Sequence, residues 1–115
     1  RGWRADKGEA PLKENLAAGL LMLSGWTPAQ PLLDPFCGSG TIVIEAACLA
    51  ARRAPGLNRR FAFERLTSFD AAGWANLKRA AQAQVDDTAA ATLVGSDIST
   101  RVIEQARANA QLAGL

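Results

Sequence analysis

Histidine is missing from all 115 residues, and cysteine occurs only at Cys37 and Cys48. Without an imidazole the chain has no Ser-His or Cys-His pair for nucleophilic catalysis. Two cysteines and no histidine fall short of a zinc ligand set, so no metal is expected. No apolar run reaches the roughly 20 residues of a membrane span. The first residues carry no signal-peptide pattern either. With no evident cysteine pairing, a reducing cytoplasmic setting is the default expectation. The formal net charge of +2 is too small to argue for nucleic acid on its own. What is present is an ordinary globular composition, 49% hydrophobic and 21% charged, sized for one small domain. Such a chain is expected to act by holding something.

The stretch that organises the rest is Leu32-Leu33-Asp34-Pro35-Phe36-Cys37-Gly38-Ser39-Gly40-Thr41, continuing as Ile42-Val43-Ile44-Glu45-Ala46-Ala47. It reads as a buried strand, a glycine turn and a helix whose N-terminus lies at the turn. A junction of this kind offers backbone N–H groups and the positive end of a helix dipole to a polar ligand. Gly38 and Gly40 allow a sharp turn and close approach. Asp34, at the strand's carboxyl end, favours a cationic or hydroxyl-bearing group, so the pair suits a zwitterion better than a phosphate. Two phosphate loops are excluded by the letters. No Lys follows Gly40, as a Walker loop requires. A dinucleotide fingerprint needs Gly where Val43 stands and an acid about 20 residues on, and the next strand-end acid, Asp97, lies far beyond that spacing.

Along the chain, leucines at 12, 16, 20 and 23 share one face of a helix over 12–23, with Gly25 as its stop. The helix over 41–52 is apolar nearly all round, which suits burial against a sheet. Glu45 within it favours a structural pairing over a role at a reacting base. Arg52 and Arg53 complement that helix's negative end. The connection over 54–70 is long and irregular, and its Arg59 and Arg60 are candidate phosphate contacts or simply solvated cations. A helix follows over 72–85, with Trp74 read as core. A short strand, Thr92-Leu93-Val94, leads to Gly95-Ser96-Asp97-Ile98, and a last helix covers 99–112 with Gly114 as its stop. Asp97 can accept hydrogen bonds from both ribose hydroxyls of a nucleoside, or can serve as a cap or turn acid. Cys37 has no basic partner for thiolate activation and reads as a small loop residue, and Cys48 as buried filler. The order of elements is the first half of a doubly wound, Rossmann-like α/β sheet, with two convincing strands.

The Asp34–Thr41 motif followed by Ile-x-Ile-Glu-Ala-Ala resembles the first motif of S-adenosylmethionine-dependent methyltransferases that modify exocyclic amino groups of nucleic acid bases. With Ala10-Pro11-Leu12-Lys13-Glu14-Asn15-Leu16-Ala17-Ala18 upstream and Phe61-Ala62-Phe63-Glu64-Arg65 downstream, the chain is similar to bacterial 23S ribosomal RNA guanine-N2 methyltransferases of class I, whose catalytic domain follows a THUMP RNA-binding domain. The resemblance implies S-adenosyl-L-methionine as cofactor, held by Asp34, Phe36, Cys37, Gly38, Gly40, Thr41, Asp97 and Ile98, with Asp97 on the ribose and Ile98 on the adenine. It also places Lys13, Glu14 and Asn15 along the pocket, where by their letters alone they read equally as a solvated polar face. It makes residues 1–9 the tail of a linker and 10–115 the first half of the methyltransferase domain, incomplete in this chain. The family's Asn-Pro-Pro-Tyr signature is absent, so no catalytic residue is expected here and the chain alone is expected to be inactive. The expected partner is 23S ribosomal RNA, and an open sheet edge is expected to promote self-association. A methyltransferase acting on transfer RNA guanine or on adenine N6, or a non-catalytic nucleoside-binding module, would share the cofactor motif.

Overall fold

The computed structural model describes residues 12–89 and 91–115, so the expectations for 1–9 and for Pro11 lie outside the described residues. The elements follow in the order read from the sequence: α1 (Glu14–Leu23), β1 (Leu32–Asp34), α2 (Thr41–Ala50), α3 (Ala71–Ala83), β2 (Leu93–Gly95) and α4 (Thr100–Leu112), with a short 3-10 turn at Ala62–Arg65. The strands pair in parallel, Leu32 with Leu93, Leu33 with Val94 and Asp34 with Gly95. No helix among the described residues is long and apolar enough to cross a membrane.

Helix α2 is the centre. It lies against both strands, and α1 and α4 flank it. The buried set is made of small side chains, Ala17, Ala46, Ala50 and Ala51, with Leu21 and Ile44 filling between them. Small residues let helix backbones approach closely, and this decides which face of α1 turns inward. The expected leucine stripe is corrected here. Leu16, Leu20 and Leu23 are exposed, and the buried line runs one position over, through Ala17 and Leu21. The expectation of a buried strand is corrected too. Leu32 and Leu93 are partly buried, while their neighbours Leu33 (67% exposed) and Val94 point to a face that no described element covers.

Helix ends follow their local chemistry. Lys13, with extended backbone, is the residue before α1, so the helix starts two positions later than its leucine spacing suggested. Gly25, at φ +70°, ends it. Helix α2 stops at Ala50, and Arg52 takes a left-handed φ of 52°. Arg53 therefore does not serve the end of α2. Its guanidinium donates to the carbonyls of Ala113 (2.9 Å) and Gly114 (2.9 Å) at the end of α4, and pairs with Asp87 at 2.7 Å. The cation offsets the negative end of a different helix from the one expected.

Residues 54–85 form an arm. Helix α3 is capped by Asp70, whose carboxylate accepts from the Gly73 amide at 2.9 Å, and among the described residues its backbone packs closely on no other helix or strand. Aromatic side chains hold it instead. Trp74 meets Phe61 and Phe63 edge-on, with ring centroids 5.8 and 5.0 Å away. Phe61 and Phe63 stack at 5.3 Å, and Phe69 closes the group at 5.9 Å from Phe63. Trp74 is thus part of a small aromatic core, as read from the sequence. The arm's base is closed by the Asp86 amide donating to the Ala51 carbonyl at 2.9 Å and by the Arg53–Asp87 pair.

Candidate functional site

The parallel ladder continues past the strand ends into the two loops. The Ser96 amide donates to the Asp34 carbonyl at 2.9 Å, and the Cys37 amide donates to the Ser96 carbonyl at 2.9 Å. Side chains add to this zipper. The Asp97 carboxylate accepts from the Gly38 amide at 3.2 Å through Oδ2 and from the Ser99 amide at 2.9 Å through Oδ1. Asp34 Oδ1 accepts from the Phe36 amide at 3.1 Å, and its Oδ2 has no hydrogen bond among the described residues. Both acids therefore stand at the carboxyl end of the sheet, one on each strand tip. This is the arrangement that lets one small molecule reach both.

Asp97 performs the turn role that the sequence left open, since it bonds the amide two residues on. The helix cap itself is Ser99, which makes no side-chain cap bond. A carboxylate has about four acceptor positions and Asp97 uses two of them internally, so the turn role leaves room for hydroxyl donors.

The glycines divide their work. Gly40, at φ +84°, precedes α2 and has no side chain of its own to cap the helix's first amides. A Cβ there would sit 3.1 Å from Ala106 Cβ on α4, so this glycine also answers to helix packing. A Cβ on Gly38 would meet nothing of the chain within 4 Å, and its outer side is open to a ligand. Gly95 lets the loops close, because a Cβ there would lie 3.1 Å from the Cβ and Sγ of Cys37. Thr41 opens α2 and is buried.

One residue of this framework was not foreseen. Asn109 on α4 is only 3% exposed, and its Nδ2 donates to the Ser39 carbonyl at 3.1 Å, fixing the glycine loop from behind. The signal was available in its position, since it shares the α4 face that carries Val102, Ala106 and Ala110.

Cys37 is buried between the tips. Burial pushes its thiol up from the ordinary value of 9.0, and the Asp34 and Asp97 carboxylates push it the same way. A neutral thiol in that position is no nucleophile. Beside it, Phe36 (87% exposed) and Ile98 present bare apolar surface to solvent. Burying side chains of this size against a ligand ring is worth roughly 1.5–3 kcal/mol each. The eight residues read as cofactor contacts thus gather at one end of the sheet. Arg59 and Arg60 do not join them; both are exposed on the arm, in the loop leaving the opposite end of α2. Glu45 is half-buried on α2, where with burial it helps raise the Cys48 thiol. A recess of about 340 Å³ at that far end, lined by Ala47, Ala50, Leu93, Arg53 and Leu115, offers no acid pair, since its Asp87 is held by Arg53.

A parallel pair crossed over by a helix, with a glycine turn after the first strand and an acid after the second, is the opening half of a class I methyltransferase sheet. The comparisons agree. Residues 1–115 match UPF0020, described as RMKL-like, methyltransferase domain, and the chain belongs to this family. Among solved structures it is similar to SMU.472, a methyltransferase by assignment, in complex with SAH, at 44% identity and a TM-score of 0.91 over 99% of this chain and 29% of that one. It is also similar to a predicted N6-adenine-specific DNA methylase from Listeria monocytogenes str. 4b F2365 (42% identity, TM-score 0.92, 99% of this chain and 30% of that one). A possible methylase from Clostridium difficile 630 matches at 42% identity and a TM-score of 0.91, over 98% of this chain and 29% of that one. The chain therefore spans about 30% of the length of the solved structures it matches.

Proposed function

We propose that this chain holds S-adenosyl-L-methionine across the two strand tips. As part of a methyltransferase, it would deliver the methyl group to the exocyclic N2 of a guanine in 23S ribosomal RNA. The observation that carries the cofactor reading is the zipper of Asp34, Ser96, Gly38 and Asp97, which sets two carboxylates at the same end of one short sheet. The residues present fit the cofactor. Asp34 has a free carboxylate oxygen, among the described residues, for an ammonium. The α2 N-terminus, where Gly40 brings no side chain of its own to cap the helix, suits a carboxylate. Asp97 has acceptor positions for ribose hydroxyls, and exposed Ile98 and Phe36 offer apolar surface for a ring.

When bound, the cofactor supplies an electrophilic methyl on a sulfonium, and the protein's contribution is positioning. Asp34, Gly38 and Asp97 orient the ends of the molecule, and Cys37 stays neutral so that it does not compete for the methyl. No group in this chain is assigned to the target amine, because the Asn-Pro-Pro-Tyr signature is absent. The guanine and ribosomal RNA assignment rests on the motif resemblance. The adenine-N6 reading is kept as the second one because a structure 42% identical to this chain carries that description.

The test is a methylation assay on the full-length protein that carries this domain, with 23S ribosomal RNA and labelled cofactor, followed by nucleoside mass spectrometry. N2-methylguanosine is the expected product; N6-methyladenine would replace the first reading with the second. The 115-residue chain alone is expected to give no transfer, and measurable turnover would overturn that expectation. Two strand edges left open among the described residues, and the bare face at Leu33 and Val94, favour self-association. Sedimentation should show association rising with concentration, and a strictly monomeric profile would contradict it.

A further inference from the structure

The chain's modest net charge of +2 conceals an uneven distribution. Arg59, Arg60, Arg65, Lys78 and Arg79 all lie on the arm, whereas its acids are only Glu64 and Asp70. Both of those acids are occupied by backbone. Glu64 Oε1 accepts from the Phe61 amide at 2.7 Å, and Asp70 from the Gly73 amide. Among the described residues no salt bridge neutralises any of the arm's cations, and the remainder of the described chain carries more acids than bases. Positive charge is therefore concentrated on one projecting element.

That element is rigid where it needs to be. The Arg59 guanidinium lies over the Phe61 ring at 5.1 Å, and the Lys78 ammonium lies 5.7 Å from the Trp74 ring centre. The aromatic core thus pins cations at both ends of the Phe61–Trp74 contact, while Arg60 and Arg65 extend freely into solvent. Arg79 makes a surface bond to Asn76. Cations left without acids, displayed on an ordered scaffold away from the acidic strand tips, are the electrostatic footprint of a phosphate backbone.

We propose that the arm is a nucleic-acid contact surface, which binds the phosphates of single-stranded RNA at a distance from the strand tips. The proposal rests on the RNA reading given above and adds to it the element that holds the strand. A base that is to be modified must be unpaired or extruded at the strand tips, so a more distant stretch of the same strand is left for the arm to anchor.

The test is fluorescence anisotropy of a labelled 20-nucleotide single-stranded RNA of mixed sequence, titrated with the protein over a range of salt concentrations. Each phosphate contact to a single strand contributes about 0.7 to the slope of log K against log salt. The triple variant R60A/R65A/R79A should lower the magnitude of that slope by about 2 and weaken binding at low salt by tenfold or more. The charge-preserving variant R60K/R65K/R79K should keep the wild-type slope. S-adenosylhomocysteine affinity, measured by calorimetry on the same proteins, should not change. An unchanged salt slope in the alanine variant, with cofactor binding intact, would overturn the arm proposal and leave the cofactor reading standing. Loss of slope in the lysine variant, or parallel loss of cofactor affinity, would show that the arginines act through the fold, and would overturn it as well.

Discussion

At the strand tips the chain is held by backbone bonds between segments far apart in sequence, whereas the arm is held at its middle by rings and at its base by two tethers. The tips carry carboxylates and the arm carries unpaired cations. Between their two acids the tips carry small residues, Cys37, Gly38, Ser39, Gly95 and Ser96, so the loops of β1 and β2 lie within hydrogen-bond reach of each other. The arm uses the bulk of Phe61, Phe63, Phe69 and Trp74 to order a segment that packs on little else. A preorganised acceptor site loses little entropy on receiving a small molecule. A side-chain-stapled arm tolerates adjustment to a large and variable partner. The difference separates two tasks that mutation can then separate.

The largest effect is expected from Asp97→Ala. It removes the bonds to Gly38 and Ser99 together with any ribose contact, and hydrogen bonds to charged groups are worth about 1.5–3 kcal/mol each. Affinity for S-adenosylhomocysteine should fall by about 100-fold or more, with RNA affinity of the arm unchanged. Next is Gly40→Val, which places a branched side chain at φ +84° and 3.1 Å from Ala106. Strain and overpacking together should lower unfolding stability by about 2–3 kcal/mol, read as a fall in Tm. Trp74→Ala should destabilise the arm by roughly 2 kcal/mol. Amide exchange should accelerate across α3 and hardly change at Cys37 and Ser96, and uniform acceleration would erase the distinction between the two regions. Asn109→Ala leaves the Ser39 carbonyl without its donor and should cost about 1–2 kcal/mol, seen as faster exchange in the glycine loop and weaker cofactor binding.

The smallest effect concerns Cys37. Its thiol is raised by burial and by two carboxylates, so alkylation at pH 8 should run several-fold slower than on a free thiol. The sign of the accompanying stability change follows. Above the ordinary thiol value the unfolded chain loses this proton before the folded one does, so stability falls as pH rises from there through the folded value. A Cys37→Ala chain should lose this share of the alkaline dependence and keep the share of Cys48, whose thiol is raised as well.

Much of this was legible in the letters because it depends on local chemistry. Gly25 and Gly114 stop helices, Gly38 and Gly40 turn the chain, and an acid ends each strand segment. The misses have a common origin in tertiary approach. The leucines of α1 are spaced for a buried stripe, yet fully buried Ala17 and Ala46 set how α1 and α2 meet, and the leucines rotated outward. Arg53 reads as a cap for its own helix, but the left-handed turn at Arg52 carries it to α4. Asn109 looks like one polar residue on an amphipathic helix, and only the fold brings Ser39 to it. Net charge, summed over the whole chain, hid how unevenly the arm carries it, although Arg59 and Arg60 already read as candidate phosphate contacts.

The central claim is that the tips of β1 and β2 together hold one nucleoside-bearing amino acid. Isothermal titration of the chain with S-adenosylhomocysteine, AMP and NAD tests it most directly. The account predicts saturable one-site binding of S-adenosylhomocysteine, weaker binding of AMP, which lacks the amino-acid end, and none of NAD. Equal affinity for AMP and S-adenosylhomocysteine would mean that Asp34 and the α2 N-terminus contribute nothing, and would contradict it.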